Sequence, residues 1–479
     1  MSTAPSSGLA QLSKRRGTAL STIAAILLGG CAAAGSGQGP AEIPVPAAFH
    51  EAGSPAAARA DESRWWERLG DPLLADLVEQ ARSGNLDLAV ARARLKQSRE
   101  TEIQARAGRF PSLEAGGTAS HTEPSDGAAR TTLSLSGDAS YEVDLFGGTA
   151  ASIEAARAGT DAARHDLAAI HVSLAAEVAR AYVQARQAQE QASIAGQLLR
   201  FARSNLEIAR WRNQAGLVSA LDVEQARGEA AQAEAAVPVY RQDYSTAVHR
   251  LGVLLGLAPG ALHEKLDEPR PVPAAPASIS AGIPLDTLRH RPDVVSAERS
   301  LDAEVARIGV TRAELYPRLR LGGSIGGTGT SMSQLVDGLA TTVFASLSQL
   351  LFDGGRSRSQ VRSQEAAAEA ALASYRQTVL VALEEVENAL VAWGVARERI
   401  VSLREAQEAA ENQAVLTRVS YRSGLVDFTT LLAAERALAT AQNSLAQSKA
   451  GETLAAIQLY RALGGGWSEE ILQEDAAND

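Results

Sequence analysis

The chain has 479 residues, of which 45% are hydrophobic but only 4% are aromatic, a mixture that favours long helices over the compact core of an enzyme. Its formal net charge of −10 argues against a nucleic-acid partner, because phosphate binding needs a basic surface. A single cysteine excludes a disulfide framework and a CxxC metal site.

The first 30 residues are predicted to be the signal peptide of a lipoprotein. Residues 14–16 are Lys, Arg and Arg, and residues 17–28 form a mostly apolar stretch that is too short to span a bilayer. The four residues that end at Cys31 resemble a bacterial lipobox, in which the signal is cut before the cysteine and its sulfur carries a lipid. With a lipid on Cys31, residues 31–60 become a flexible, lipid-bearing tether. The alternative is that Cys31 is a free buried thiol.

The rest of the chain is predicted to consist of two repeats. A single insertion of two residues keeps them in register, which chance similarity between Ala-rich helices would not do. The predicted domains are a first repeat at 61–262, a Pro-rich linker at 263–284, a second repeat at 285–464 and a tail at 465–479. The landmarks that recur at an offset of 206 or 208 residues are Phe110–Pro111 with Tyr316–Pro317, Leu145–Phe146 with Leu351–Phe352, Glu177–Val178 with Glu385–Val386, Gly216–Val218 with Gly424–Val426, and Leu255–Gly256 with Leu463–Gly464.

Each repeat contains two stretches in which apolar and polar residues alternate, which predicts four strands per chain. Between residues 132 and 145 the even positions are all polar and the odd positions are apolar or glycine, so one face of each kind is expected. A soluble antiparallel sheet shows the same alternation. The expected elements are a helix at about 73–108, strands that begin at Leu113 and at Leu133 with a turn at 121–130, and matching strands at 319–325 and 339–351.

Aromatic residues at the ends of the predicted hairpins favour a membrane sheet over a soluble one. All four would lie at the same end of the strands, as in the girdle at a membrane interface. Strands of about ten to fourteen residues match a tilted crossing of an outer membrane. The smallest closed barrel needs about eight strands, and one chain supplies four. The chain must therefore oligomerise, and the number of strands in the barrel must be a multiple of four. The girdle residues are Phe110, Phe146, Tyr316 and Phe352.

Long helical patterns follow each predicted hairpin. They cover 148–216 and 355–424, and each spans roughly 100 Å at the rise of an α-helix. In the first of them, apolar residues between 167 and 209 recur in steps of three or four, which is the seam of a coiled coil. Each pattern reverses at its final glycine and returns through a second helix, at 221–255 and at 429–463.

A motif spans the end of the linker and the start of the second repeat. Its residues are Ile283, Pro284, Leu288, Arg289, Arg291, Pro292, Asp293, Val294, Ala297 and Glu298, followed by Ile308, Gly309, Leu315, Tyr316 and Pro317. The motif resembles a known family, the outer-membrane efflux proteins, and within it the NodT-like lipoproteins of the TolC superfamily. The resemblance covers about residues 60–467, and the segment from Leu463 to Trp467 is also similar to that group's ending. It implies a homotrimer with a twelve-stranded β-barrel in the outer membrane, a helical barrel across the periplasm, and an equatorial belt from the N-terminal segment, linker and tail.

The resemblance also implies roles for the two hairpin tips. The adaptor-docking residues are expected to be Gly216, Leu217, Val218, Gly424, Leu425 and Val426. The alternative is a purely structural role, in which glycine ends the helix and Leu and Val close the turn. The candidates for a periplasmic gate are Tyr421, Arg422, Asp427 and Glu435, and the alternative there is a solvated charged end. The family commonly has an aspartate nine residues after the tip glycine, where this chain has Ala433.

No catalytic constellation is expected. Gly322 to Gly326 match the GxSxG pattern, but Ser324 lies within an alternating strand and not on a strand-to-helix turn. His165 and His171 are six residues apart and lack the spacing of a helical zinc pair. Apart from the lipid on Cys31, no cofactor or metal is expected.

The sequence therefore predicts a mainly α protein with a membrane β-barrel, and no enzyme. The leading hypothesis is a passive outer-membrane conduit for drugs or small solutes, which works with a periplasmic adaptor and an inner-membrane transporter. It would be anchored by lipid in the outer membrane and extend into the periplasm. The alternatives are the exit duct of a type I protein-secretion system and a non-conducting coiled-coil scaffold. The polar strand face and the duplication favour a channel over a scaffold.

Overall fold

The computed structural model describes residues 46–50 and 62–472. The predicted signal peptide, Cys31, most of the tether and the last seven residues of the tail lie outside the described residues.

The elements follow the same order in both halves of the chain. The first half contains a 3₁₀ turn (Trp65–Leu69), α1 (Pro72–Gly84), α2 (Leu86–Ala107), β1 (Ser112–Thr122), β2 (Arg130–Val143), α3 (Gly148–Gln214) and α4 (Ala220–Leu254). The second contains α5 (His263–Leu266) in the linker, then α6 (Pro284–His290), α7 (Pro292–Ala313), β3 (Arg318–Gly329), α8 (Met332–Asp337), β4 (Ala340–Ser348), α9 (Arg356–Arg422) and α10 (Phe428–Ala462).

The helix expected at about 73–108 is two helices, because Asn85 interrupts it. Asn85 has an extended backbone (φ −69°, ψ 131°), and its side chain accepts a hydrogen bond from the backbone N–H of Leu88, so it caps α2. Pro284, which was expected to belong to the linker, occupies the first turn of α6, where its missing N–H costs nothing. The short helix α8 between β3 and β4 was not predicted; Ser331 caps it.

The four strands form one antiparallel sheet in the order β1-β2-β3-β4, as predicted. Register pairs Ser112 with Ser140, Val143 with Leu319, and Arg318 with Ser348. The start of β1, the end of β2, the start of β3 and the end of β4 therefore lie at one end of the sheet. Both long hairpins leave the sheet from that end.

The predicted long hairpins are confirmed. Both α3 and α9 have 67 residues, which corresponds to roughly 100 Å. None of the seam residues expected between 167 and 209 is exposed. Yet α3 buries 25 of its residues, whereas α9 buries only nine, so one face of α9 is left without a partner among the residues that the structure describes. Within residues 46–50 and 62–472, no helix carries an apolar stretch sufficient for a membrane crossing.

The main buried cluster lies where the return helices α4 and α10 end. Trp65, Trp66 and Tyr460 are each fully buried there, and the rings of Trp65 and Tyr460 stack with centroids 5.2 Å apart. The cluster also contains apolar residues of α1, α2 and the middle of α3. Two of the chain's five tryptophans are thus fully buried at this level.

Candidate functional site

The sheet has one apolar and one polar face, as its sequence predicted. Residues that pair across the strands share a face, so register extends the alternation of β2 to the whole sheet. On the apolar face, the side chains of Leu113 and Val343 are 83% and 85% exposed. A soluble protein normally covers such a surface.

The four predicted girdle residues lie at the end of the sheet where the helices begin. The rings of Phe146 and Tyr316 stack with centroids 4.6 Å apart. Phe110 and Phe352 are exposed, at 71% and 87%. Since the chain carries few aromatic residues, their collection at one level of the sheet matches the arrangement found at membrane interfaces.

Both hairpin tips are built from the same backbone motif. Gly216 and Gly424 have φ of 72° and 75°, a left-handed conformation that favours glycine. The N–H of Leu217 donates to the carbonyl of Arg212 over 2.8 Å, which closes the end of α3, and the second tip has the equivalent bond at Leu425. This geometry leaves Leu217 and Leu425 exposed, at 72% and 78%.

The return helices start with side-chain caps. Ser219 and Asp222 form a reciprocal capping box at the start of α4. At the second tip, the carboxylate of Asp427 accepts from the N–H of Thr430 over 2.8 Å. Hydrogen bonds from Thr430 also lower the pKa of Asp427 below its usual value. Asp427 therefore has a structural role at the start of α10.

Three of the four gate candidates make contacts within the chain. Tyr421 is buried against Phe428, and the guanidinium of Arg212 lies 4.8 Å from its ring centroid. Arg422 is exposed at the end of α9.

Glu435 is the most enclosed gate candidate, at 5% exposed. Its carboxylate accepts from Asn205 Nδ2 over 2.6 Å and from Arg418 Nε over 3.1 Å. The guanidinium of Arg418 also lies 4.2 Å from the ring centroid of Phe201. This network joins α3, α9 and α10, so it ties the two hairpins of one chain together. Sequence reasoning missed Asn205 and Arg418, because both partners of Glu435 lie on other helices and leave no local signal.

The motif around Arg291 forms a buried junction. Arg291 Nη1 donates to the carbonyl of Ala462 over 2.8 Å, at the end of α10. Its Nη2 donates to Asp293 and to Glu385, both over 2.7 Å. The junction thus joins the start of α7 to α9 and α10.

Two glycines after α10 are closely packed, the first of them against this junction. A Cβ on Gly464 would lie 3.2 Å from the Cα of Arg291, and one on Gly465 would lie 3.0 Å from the carbonyl oxygen of Glu62. Trp467 follows, and its indole N–H donates to the carbonyl of His290 over 3.2 Å. The motif and the chain ending that resembled a family are therefore two sides of one contact.

The residues considered for chemistry do not assemble into a site. Ser324 lies inside β3, paired with Asp138 and Thr342. His171 is buried, and burial lowers the pKa of His165. In the part of the chain that the structure describes, no group of three or more His, Cys, Asp or Glu side chains is placed to hold a metal ion.

Comparison with known proteins identifies the family. The family model of the outer membrane efflux protein matches residues 77–257 and 283–465. The chain belongs to this family. It is an outer-membrane efflux channel protein that extends into the periplasm, and it is not an enzyme.

Relatives and solved structures agree with this family over most of their length. The chain is 31% identical to nodulation protein T of Rhizobium leguminosarum bv. trifolii, covering 92% of this chain and 96% of the relative. It is 32% identical to the pyoverdine export outer membrane protein OpmQ of Pseudomonas putida, covering 87% and 92%. The solved structure of the outer-membrane channel OprN has a TM-score of 0.81 and 37% identity, with 89% of this chain and 98% of that chain covered.

Proposed function

We propose that three copies of this chain form a passive conduit of a tripartite efflux system. The observation that carries this proposal is a two-faced sheet of four strands, joined at one end to hairpins of roughly 100 Å. Within the described chain, β1 and β4 each have one neighbouring strand, so both edges of the sheet are open. Three sheets joined edge to edge give twelve strands with no open edge, the apolar face toward lipid and the polar face toward water.

The helices support assembly as well. Large apolar residues of α9 are exposed along its length, among them Leu380, Val401 and Leu416. A second copy of the chain covers this face when hairpins pack side by side into a tube, as neighbouring helices do in a coiled coil. The small residues of the α3 seam permit close helix approach in the same wall.

The transported material is proposed to be small solutes. Among relatives with similar coverage, one is named for pyoverdine export, one for antibiotic efflux and one for toluene efflux. The polar face of the sheet would give such solutes a hydrated path.

The outer-membrane anchor is proposed to include a lipid on Cys31, which adds to the hold of the barrel. Cys31→Ser should abolish labelling with radioactive palmitate in growing cells while only part of the protein leaves the membrane fraction. Wild-type protein that takes up no label under the same conditions would contradict the lipid.

The tips are proposed to dock a periplasmic adaptor that links the conduit to an inner-membrane transporter. Exposed Leu217 and Leu425 would supply the apolar contact, and the glycines permit close approach of an adaptor helix. Arg422, the exposed gate candidate, is proposed to hold neighbouring chains closed, while Tyr421 keeps the tip of its own chain in place through Phe428 and Arg212. Asp427 and Glu435 would keep the ends of the two hairpins in place.

The test is deletion of the gene followed by complementation. Deletion should sensitise cells to small toxic compounds, and the wild-type gene should restore resistance. Gly424→Trp should fail to restore it at normal trimer abundance, because the indole occludes the docking contact. Gly424→Ala is the matched control, since it puts the same demand on the left-handed backbone at φ 75° but carries no indole, and it should restore resistance. Deletion that blocks export of a protein and leaves compound resistance unchanged would instead support a secretion duct.

A further inference from the structure

The polar face of the sheet carries one large apolar side chain, Phe344. Register places Phe344 in one row with Gly322, Ser140 and Ser112 across the four strands. Every other residue on this face of β1 to β4 is polar, glycine or alanine. The row lies four residues before the end of β4, which is about 13 Å from the end where the helices begin.

The ring of Phe344 is seated on Gly322. A Cβ at Gly322 would lie 2.2 Å from Phe344 Cζ, so the ring covers the place where a side chain would project from that strand. Phe344 is nevertheless 47% exposed, because the seat covers only part of the ring. An aromatic ring that covers a glycine on the neighbouring strand stabilises a sheet, and this structural role would explain the covered part of the ring. The exposed part of the ring offers more than that, since an apolar surface stands among hydroxyl groups.

We propose that Phe344 is a solute-contact residue in the lumen of the conduit, where three copies give an apolar site for neutral aromatic or aliphatic solutes. This inference rests on the proposed function, since it needs the polar face to line the path. A solute ring stacks on Phe344 or meets it edge to face, and such contacts are individually weak. A weak site suits a passage, because a solute has to leave as readily as it enters.

The first experiment tests which face Phe344 lies on. Phe344→Cys and its neighbour Val343→Cys are each exposed in planar bilayers to a charged, membrane-impermeant thiol reagent. The chain has a single native cysteine, Cys31, which serves as the background in unsubstituted protein. Reaction at position 344 should lower single-channel conductance, and position 343, on the lipid side, should not react. Reaction at 343 and none at 344 would overturn the proposal.

The second experiment tests contact with solute. Naphthol serves as the aromatic probe and sucrose as the polar probe, and the residence time of each is taken from current blocks. Phe344→Ser should shorten the residence time of naphthol by roughly two- to tenfold, the range expected for one aromatic contact, and leave that of sucrose unchanged. In Phe344→Leu, the residence time of naphthol should lie between those in Phe344→Ser and the wild type. In Ser346→Ala, a change on the same face of the sheet, it should equal that in the wild type.

The outcomes separate this inference from the proposed function. If wild-type protein conducts but Phe344→Ser changes only the thermal stability of the assembly, the ring has a structural role alone and the inference is wrong. If neither the wild-type protein nor Arg422→Ala conducts when assembled and inserted in the bilayer, the conduit itself is wrong and the contact site fails with it.

Discussion

In both repeats, a side-chain N–H donates a hydrogen bond to the last carbonyl of the return helix, but the side chain differs. In the first, Asn85 Nδ2 donates to the carbonyl of Leu254 over 2.9 Å. In the second, Arg291 Nη1 donates to the carbonyl of Ala462 over 2.8 Å. Asn85 and Arg291 are repeat mates at the offset of 206, and the two carbonyls are mates at 208. Each side chain lies at the junction of two short helices and satisfies the last carbonyl of a return helix.

The difference lies in what else each side chain holds. Asn85 uses its oxygen to cap α2, so it joins two elements. Arg291 also donates to Glu385 on α9, so it joins the long helix α9 to its return helix α10. In the first repeat the mate of Glu385 is Glu177, which pairs with Arg250 on α4. The contact with the last carbonyl is thus common to both repeats, whereas the charged tie uses buried Arg291 in the second repeat and exposed Arg250 in the first.

The largest effect on stability is expected at Arg291. Arg291→Met should lower the free energy of unfolding by about 2–4 kcal/mol, because it leaves Glu385 and the carbonyl of Ala462 without their buried partner. Denaturant unfolding of the purified protein measures it. Arg289→Met removes an exposed charge two residues away and should change the same quantity by less than about 0.5 kcal/mol. Equal effects of the two substitutions would show that the junction is not a tie.

A smaller effect is expected at Asn85, since a neutral side chain holds fewer partners. Asn85→Ala should cost about 1–3 kcal/mol, through the lost cap and the unpaired carbonyl of Leu254. Asn85→Asp keeps a side-chain oxygen that caps α2 but loses the N–H that donates to Leu254. Its loss of unfolding free energy therefore gives the contribution of the bond to Leu254 separately from that of the cap. A cost as large as that of Arg291→Met would remove the distinction between the repeats.

The smallest effect is expected at the exposed pair of the first repeat. Arg250→Ala breaks its ion pair with Glu177, and water-exposed pairs contribute about 0–1 kcal/mol. High salt should leave the variant and the wild type nearly equal. A loss above about 2 kcal/mol would mean that the surface tie matters as much as the buried one.

The sequence was sufficient for the parts of the fold that local pattern controls. Alternation between 132 and 145 predicted both faces of the sheet, and the glycines at 216 and 424 predicted the tips within two residues of the helix ends. These signals are local, because side-chain direction and left-handed backbone follow from neighbouring residues.

The contacts between distant segments could not be predicted in this way. The hydrogen bond from Asn85 reaches a carbonyl 169 residues away, and the partners of Glu435 lie on two other helices. One signal was available for the first case, since the offset of 206 places Asn85 opposite Arg291. No such signal was available for the network at Glu435, because the first repeat contains no matching network among its described residues.

Single-channel recording of purified protein in planar bilayers tests the central claim, that assembled copies enclose a water-filled path. Discrete conductance steps are expected in the wild type. Larger steps are expected in Arg422→Ala, where the proposed closing contact between chains is lost, and unchanged steps in Arg404→Ala, which removes an exposed arginine farther from the tip of α9. The absence of steps in all three proteins, when each is assembled and inserted in the bilayer, would contradict the conduit.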